Sequence, residues 1–142
     1  MRAAFYRATR PGWAGIYNRL VRLVDGGPYS HAELVFSDGV CASSSWMDGG
    51  VRFKTFEPNP EKWDLVELDP SRFDEAAARA WFVEHEGAPY DIAGNLKFVW
   101  HWWPASKTRW FCTSALAAAL GLPPVEKPWW YGPAKLAEAL RS

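Results

Sequence analysis

Tyr29-Ser30-His31-Ala32-Glu33-Leu34-Val35-Phe36, then Ser37-Asp38-Gly39, then Val40 to Trp46, is the stretch that decides the fold. The first segment is short, partly β-branched and bounded by turn residues, which predicts a strand. Asp-Gly is a hairpin turn pair, because both central positions of such a turn favour a positive φ. Val40 to Trp46 is then the returning strand. After the turn residues Asp48-Gly49-Gly50, Val51-Arg52-Phe53-Lys54-Thr55-Phe56 alternates apolar and polar side chains, the pattern of a half-buried strand. Pro58 and Pro60 break the chain, and Trp63 to Leu68 predicts a further strand. Upstream, Ala3 to Ala8 is a short apolar stretch that also fits a strand, ended by Pro11 and Gly12.

Helices surround this block. Trp13, Ile16, Tyr17, Leu20, Leu23 and Val24 recur at helical spacing, with Arg19 and Arg22 mostly on the other face. Asp25-Gly26-Gly27-Pro28 stops that helix. A second helix is expected from Ser71, with Asp74 in capping-box position and Phe73, Ala76, Ala77, Ala80 and Trp81 as its buried face, closing at Gly87. Asp91 to Trp103 is expected to be partly helical, and Pro104 to Thr108 an exposed loop. Cys112 to Leu120 is alanine-rich and helical, closed by Gly121 and followed by Pro123 and Pro124. A last helix covers about Pro133 to Leu140. Strands grouped together and helices around them define an α+β domain, an antiparallel sheet packed against helices. At 142 residues, one domain spanning 1–142 is expected, without repeats or linkers.

Composition removes several function classes. Sixteen basic and sixteen acidic residues cancel, so no broad basic field suggests a nucleic-acid partner. Two cysteines, Cys41 and Cys112, are too few for a disulfide framework and do not make a zinc site. No metal or other cofactor is expected. Met1 to Arg10 carries three arginines without the apolar stretch of a signal peptide, and the apolar run Ala115 to Leu122 is far short of a membrane span. A cytoplasmic chain without stable membrane insertion is the expectation. The ten tryptophans, several of them in Trp100, Trp102, Trp103, Trp110, Trp129 and Trp130, fit either an aromatic core or the wall of a groove for sugar, lipid or peptide; composition does not separate the two.

Cys112 and His31 are the residues able to do covalent chemistry. Cys112 stands where a helix begins, and the free N–H groups and helix dipole there favour a thiolate, the nucleophilic form. Equally, a cysteine can be only a small buried hydrophobe. His31, near the start of its strand, could take a thiol proton and return it to a leaving group. Alone it reads as a surface or capping histidine. His85, on the exposed side of its helix, and His101, in the tryptophan cluster, are expected to be structural, as is Cys41 on the second hairpin strand.

Gly87-Ala88-Pro89-Tyr90-Asp91, a spacer, and then Phe111-Cys112-Thr113-Ser114 at a helix start resemble the nucleophile segment of NlpC-type papain-like cysteine peptidases. Ser30-His31, the apolar strand, the Asp-Gly turn and the second strand resemble their histidine hairpin. The histidine precedes the cysteine here, an order similar to that of the circularly permuted branch, which includes lecithin retinol acyltransferase-like enzymes. The resemblance covers roughly Tyr29 to Trp46 and Gly87 to Gly121 and implies a permuted papain-like fold. It also implies a thiol hydrolase that cleaves an amide bond through a thioacyl-enzyme, in a cell-wall (peptidoglycan) peptide. Cys112 would be the nucleophile, His31 its base, the Cys112 N–H an oxyanion donor, and Tyr90 a residue facing oxyanion or substrate. The third catalytic member, a polar residue on the next strand, falls by a gapless count on Ser43, with Ser44 and Ser45 as neighbouring alternatives. A serine orients an imidazole less firmly than a carboxylate or amide. Glu33 shares the His31 face by alternation, but i,i+2 spacing on a strand is expected to keep it from direct contact, so it lines the cleft or is structural. Two other readings stand beside this one. One is a lipid acyl hydrolase or acyltransferase, acting on an acylated rather than a peptide substrate. The other is a non-catalytic binding module on the same fold.

Overall fold

Alternation along five strands places the core. The computed structural model describes residues 1–91, 108–122 and 132–142. Its strands are β1 (Arg2–Tyr6), β2 (His31–Val35), β3 (Val40–Ser45), β4 (Gly50–Thr55) and β5 (Trp63–Glu67). They form one antiparallel sheet in the order β4-β3-β2-β1-β5. The helices are α1 (Trp13–Asp25), α2 (Glu75–Glu84), α3 (Cys112–Ala119) and α4 (Pro133–Arg141). Ala3, Phe5, Ala32, Leu34 and Ala42 join Phe82 of α2, Leu116 of α3 and Leu136 of α4 in the main core. Ala4, Tyr6, Val35, Cys41 and Trp63, the alternate positions, make a smaller cluster. Full burial of each large apolar side chain contributes about 1.5–3 kcal/mol. This is the expected α+β class.

The hairpin turn forms at Ser37-Asp38-Gly39, but only Gly39 takes a positive φ, 84°, and the Gly39 N–H closes the turn on the Phe36 carbonyl. Two helix assignments need correction. Helix α2 starts at Glu75, not Ser71, because Asp74 is its N-cap and accepts the Ala76 and Ala77 N–H groups at 2.8 and 3.1 Å. Its buried positions are Ala78 and Phe82, while Ala76, Ala77 and Ala80 are exposed. The alanines carry little apolar weight, and the large Phe82 ring sets which side faces the sheet. His85 is half-buried rather than on the exposed side: its ring stacks on Trp81 at 4.0 Å, with Trp110 edge-on to both. The helix expected after Asp91, His101, and Trp100, Trp102, Trp103, Trp129 and Trp130 lie outside the described residues.

Candidate active site

Cys112 opens α3, after Phe111 in an extended conformation. Ser114 Oγ accepts the Phe111 N–H at 3.0 Å and fixes this first turn. The segment before Cys112 is fastened to the sheet. Trp110 pairs in parallel with Tyr90, and its carbonyl accepts the Ser44 hydroxyl at 2.7 Å and the Asp91 N–H at 3.1 Å. In turn, the Ala88 carbonyl accepts the Val51 N–H at 2.9 Å. This approach needs Gly50, since a Cβ there would overlap the Ala88 carbonyl. The two halves of the sequence motif, around Tyr90 and around Cys112, are therefore adjacent.

His31 meets the thiol from β2. Its imidazole lies close enough to the Cys112 side chain to feel its charge, and its Nε2 lies 2.9 Å from Glu33 Oε1. With Nε2 facing the carboxylate, Nδ1 is the nitrogen left for sulfur. Glu33 is almost fully buried, and both its oxygens are occupied: Arg52 Nη1 donates to Oε2 and Nη2 to Oε1, each at 2.6 Å. This is the planar two-point pairing that only arginine supplies. Arg52 Nε donates in turn to Asp48 at 2.9 Å. A continuous polar chain thus runs from His31 through Glu33 and Arg52 to Asp48, with Cys112 near its His31 end.

The electrostatics follow from that chain. Burial alone would push the His31 pKa down, but the Cys112 and Glu33 charges and hydrogen bonds outweigh it and hold it up at about 9, from 6.5. Burial likewise opposes the Glu33 charge, yet Arg52 and His31 keep this carboxyl below its usual range. The Tyr17 hydroxyl is pushed up by burial and by the nearby Cys112 charge, against the effect of its bond to Tyr90. An imidazole held up at about 9 thus stands near a sulfur at a helix N-terminus.

Among the expected site residues, Cys112, His31 and Tyr90 are brought to one region. Tyr90 lines the cavity described below and bonds Tyr17 across 3.2 Å. Ser43 does not orient His31: its hydroxyl donates to the Ala32 carbonyl at 2.7 Å and is fully buried. Ser44 anchors Trp110 instead. The contact judged too long from strand spacing, His31 to Glu33, is the one that forms. His31 is the first residue of β2, and two long side chains on one face can lean together across the gap between their Cα atoms. Ser43→Ala is therefore expected to cost about 0.5–1.5 kcal/mol of stability, the worth of one neutral hydrogen bond, and to leave Cys112 acylation within about twofold of wild type. Denaturant melts and labelling kinetics on the same preparation check this.

A cavity of about 420 Å³ is lined by His31 and Tyr17, both near Cys112, while Cys112 itself is not among its lining residues. Tyr6, Phe56 and Trp63 give it an aromatic wall, and Arg10 and Lys54 give it cations. The Ser30 hydroxyl, at the cavity edge, is buried with no hydrogen-bond partner among the described residues. Arg52, Asp48 and Tyr17 were not singled out from sequence. The available signal was Glu33 itself, since a carboxylate inside an apolar strand needs a buried cation opposite. Among the described residues, no group of three or more His, Cys, Asp or Glu could hold a metal ion, and no helix is long and apolar enough to cross a membrane. In comparisons with known proteins, the chain matches no family model, no curated protein and no solved structure.

Proposed function

We propose that this chain is a thiol hydrolase of the circularly permuted NlpC-type, papain-like kind, acting through a thioacyl-enzyme. The observation that carries this reading is the placement of Cys112, at a helix N-terminus, beside a His31 that is hydrogen-bonded to Glu33 and borders a cavity. Cys112 Sγ would attack the carbonyl carbon, forming the S–C bond. The developing oxyanion would take the Cys112 backbone N–H. The His31 imidazolium would give its proton to the leaving nitrogen as the C–N bond breaks. Water would then attack the thioester, with His31 accepting its proton and the thiolate departing. Glu33 takes the orienting role given from sequence to Ser43, and Tyr17 and Tyr90 border the reacting region.

For the substrate, the motif resemblance favours an amide in a cell-wall peptide. A specific observation favours the lipid-acyl reading: Trp46 and Met47 are exposed at the cavity mouth, where an acyl chain would enter. The test incubates the protein with muropeptides and, separately, with phospholipids, and traps the acyl-enzyme by mass spectrometry. A peptidyl or fatty-acyl adduct on Cys112 identifies the substrate class. No adduct from either, with an intact Cys112 that still binds one of them, establishes the binding-module reading and removes this one.

A further inference from the structure

Helix α1 is turned inside out. Its buried positions are Gly15 and Asn18. Asn18 Oδ1 accepts the Arg10 N–H at 3.2 Å, and Arg22 donates to the Asn18 and Arg7 carbonyls and to Thr9 Oγ1 at 3.2, 2.8 and 2.5 Å. A Cβ at Gly15 would overlap the Arg10 carbonyl, so this polar side is held tightly to the body. The apolar side faces outward: Trp13 is 86% exposed, Leu23 79%, and Ile16 and Leu20 50% each. Because the polar side is tied down, the helix cannot roll to bury these residues. The exposed Trp46 and Met47 continue the surface, joined to the start of α1 by Arg10, whose Nη1 lies 2.9 Å from Met47 Sδ.

Charge says what covers this face. Residues 1–24 hold five arginines and no Asp or Glu, in a chain of zero net charge. Arg2 and Arg7 pair with Glu67 and Asp64. Among the described residues, Arg10, Arg19 and Arg22 have no carboxylate partner, and Arg19 is exposed beside the apolar stripe. Tryptophan and leucine beside the exposed Arg19, with Asp25 at the far end of α1 turned to the Ala134 N–H and Asp48 paired with Arg52, suit the boundary between headgroups and acyl chains of an anionic bilayer. We propose that α1, with Trp46 and Met47, docks this protein flat on an anionic lipid surface. Ala14 and Tyr17 of α1 and the Trp46-Met47 loop also line the cavity, so docking turns its mouth toward the lipid. The proposal goes beyond the hydrolase reading and does not depend on it, since no docking residue takes part in the chemistry of Cys112.

The full chain is sedimented with phosphatidylcholine vesicles and with mixed phosphatidylcholine–phosphatidylglycerol vesicles, at low and high salt. Binding to the mixed vesicles is expected, weakened by salt and by Arg19→Glu. The L20E/L23E variant should lose at least about tenfold in bound fraction. Leu23→Ser, a milder change at an exposed position, should give an intermediate loss. Cys112→Ala should bind like wild type. Absence of binding to either vesicle overturns the proposal, as does equal binding by L20E/L23E. A concentration-dependent dimer that L20E/L23E abolishes, without vesicle binding, would assign the face to a second copy instead. Thiol labelling of Cys112 in vesicle-free buffer reads the hydrolase reading separately.

Discussion

Glu33→Ala is expected to destabilise the protein by about 3–5 kcal/mol, the usual cost of removing one partner from a buried ion pair. The loss comes less from the missing attraction than from what remains. Arg52 keeps a guanidinium only 13% exposed, with Asp48 as its remaining carboxylate. A melting temperature lower by roughly 10 °C is the expected readout. Glu33→Gln keeps the shape but not the charge and should fall between Ala and wild type. The informative comparison is the double variant E33L/R52M. Replacing both charges with apolar groups of similar size is often neutral for stability, so the fold should largely recover. Cys112 reactivity should not, because His31 has lost its orienter. Recovery of stability with acylation still down by about a hundredfold separates the two duties of Glu33. Recovery of both would show that Glu33 serves the fold alone.

The second large effect concerns the pair itself. Cys112→Ala should abolish covalent labelling by acyl probes and all turnover, with only a small change in stability. Cys41 will not substitute, since it is fully buried and burial pushes its thiol pKa up. His31→Ala should slow Cys112 acylation by about 10²–10⁴, the range for a lost general base. The pH profile carries a sign. His31 binds its proton more tightly in the folded protein, at about 9 against 6.5. Its contribution to stability is therefore complete below pH 6.5 and lost as pH rises through about 9. Over the same rise the imidazolium disappears, so amide cleavage, which needs a proton for the leaving nitrogen, should fall. Alkylation by iodoacetamide needs no such proton and should persist. Parallel decline of both reactions above pH 9 would mean that His31 does not supply that proton.

The hairpin from His31 to Ser45 was legible because Asp38-Gly39 is chemically committed to a tight turn and the flanking residues suit strands. Cys112 and His31 were legible as residue types at a helix start and a strand start. What failed were the inferences about which partner Glu33, Arg52 and Ser43 choose. Glu33 was set aside on Cα spacing, although side-chain length closes the gap to 2.9 Å. Arg52 looked like the solvent side of an alternating strand, but the face it shares with Glu33 is largely closed to water. Ser43 was placed by counting, yet a buried hydroxyl satisfies itself on the nearest carbonyl, here Ala32. For α1, periodicity found the helix but not its facing, because Gly15, Asn18 and Arg22 decide the packing and none of them is apolar.

The sheet order also has a temporal meaning. Strand β1 precedes the other four strands in the chain, yet it is flanked by β2 and by β5, through Tyr6↔His31 and Tyr6↔Trp63. It cannot be enclosed until the chain has been built past Glu67, and the thiol joins His31 only after α3 emerges much later. The β1–β5 pairing and the packing of α3 on the sheet join segments distant in sequence, and such contacts slow folding relative to local ones. During synthesis, a half-made sheet with two open edges exists before Cys112 and His31 can come together. Cys112 therefore meets His31 only as one of the last events of folding.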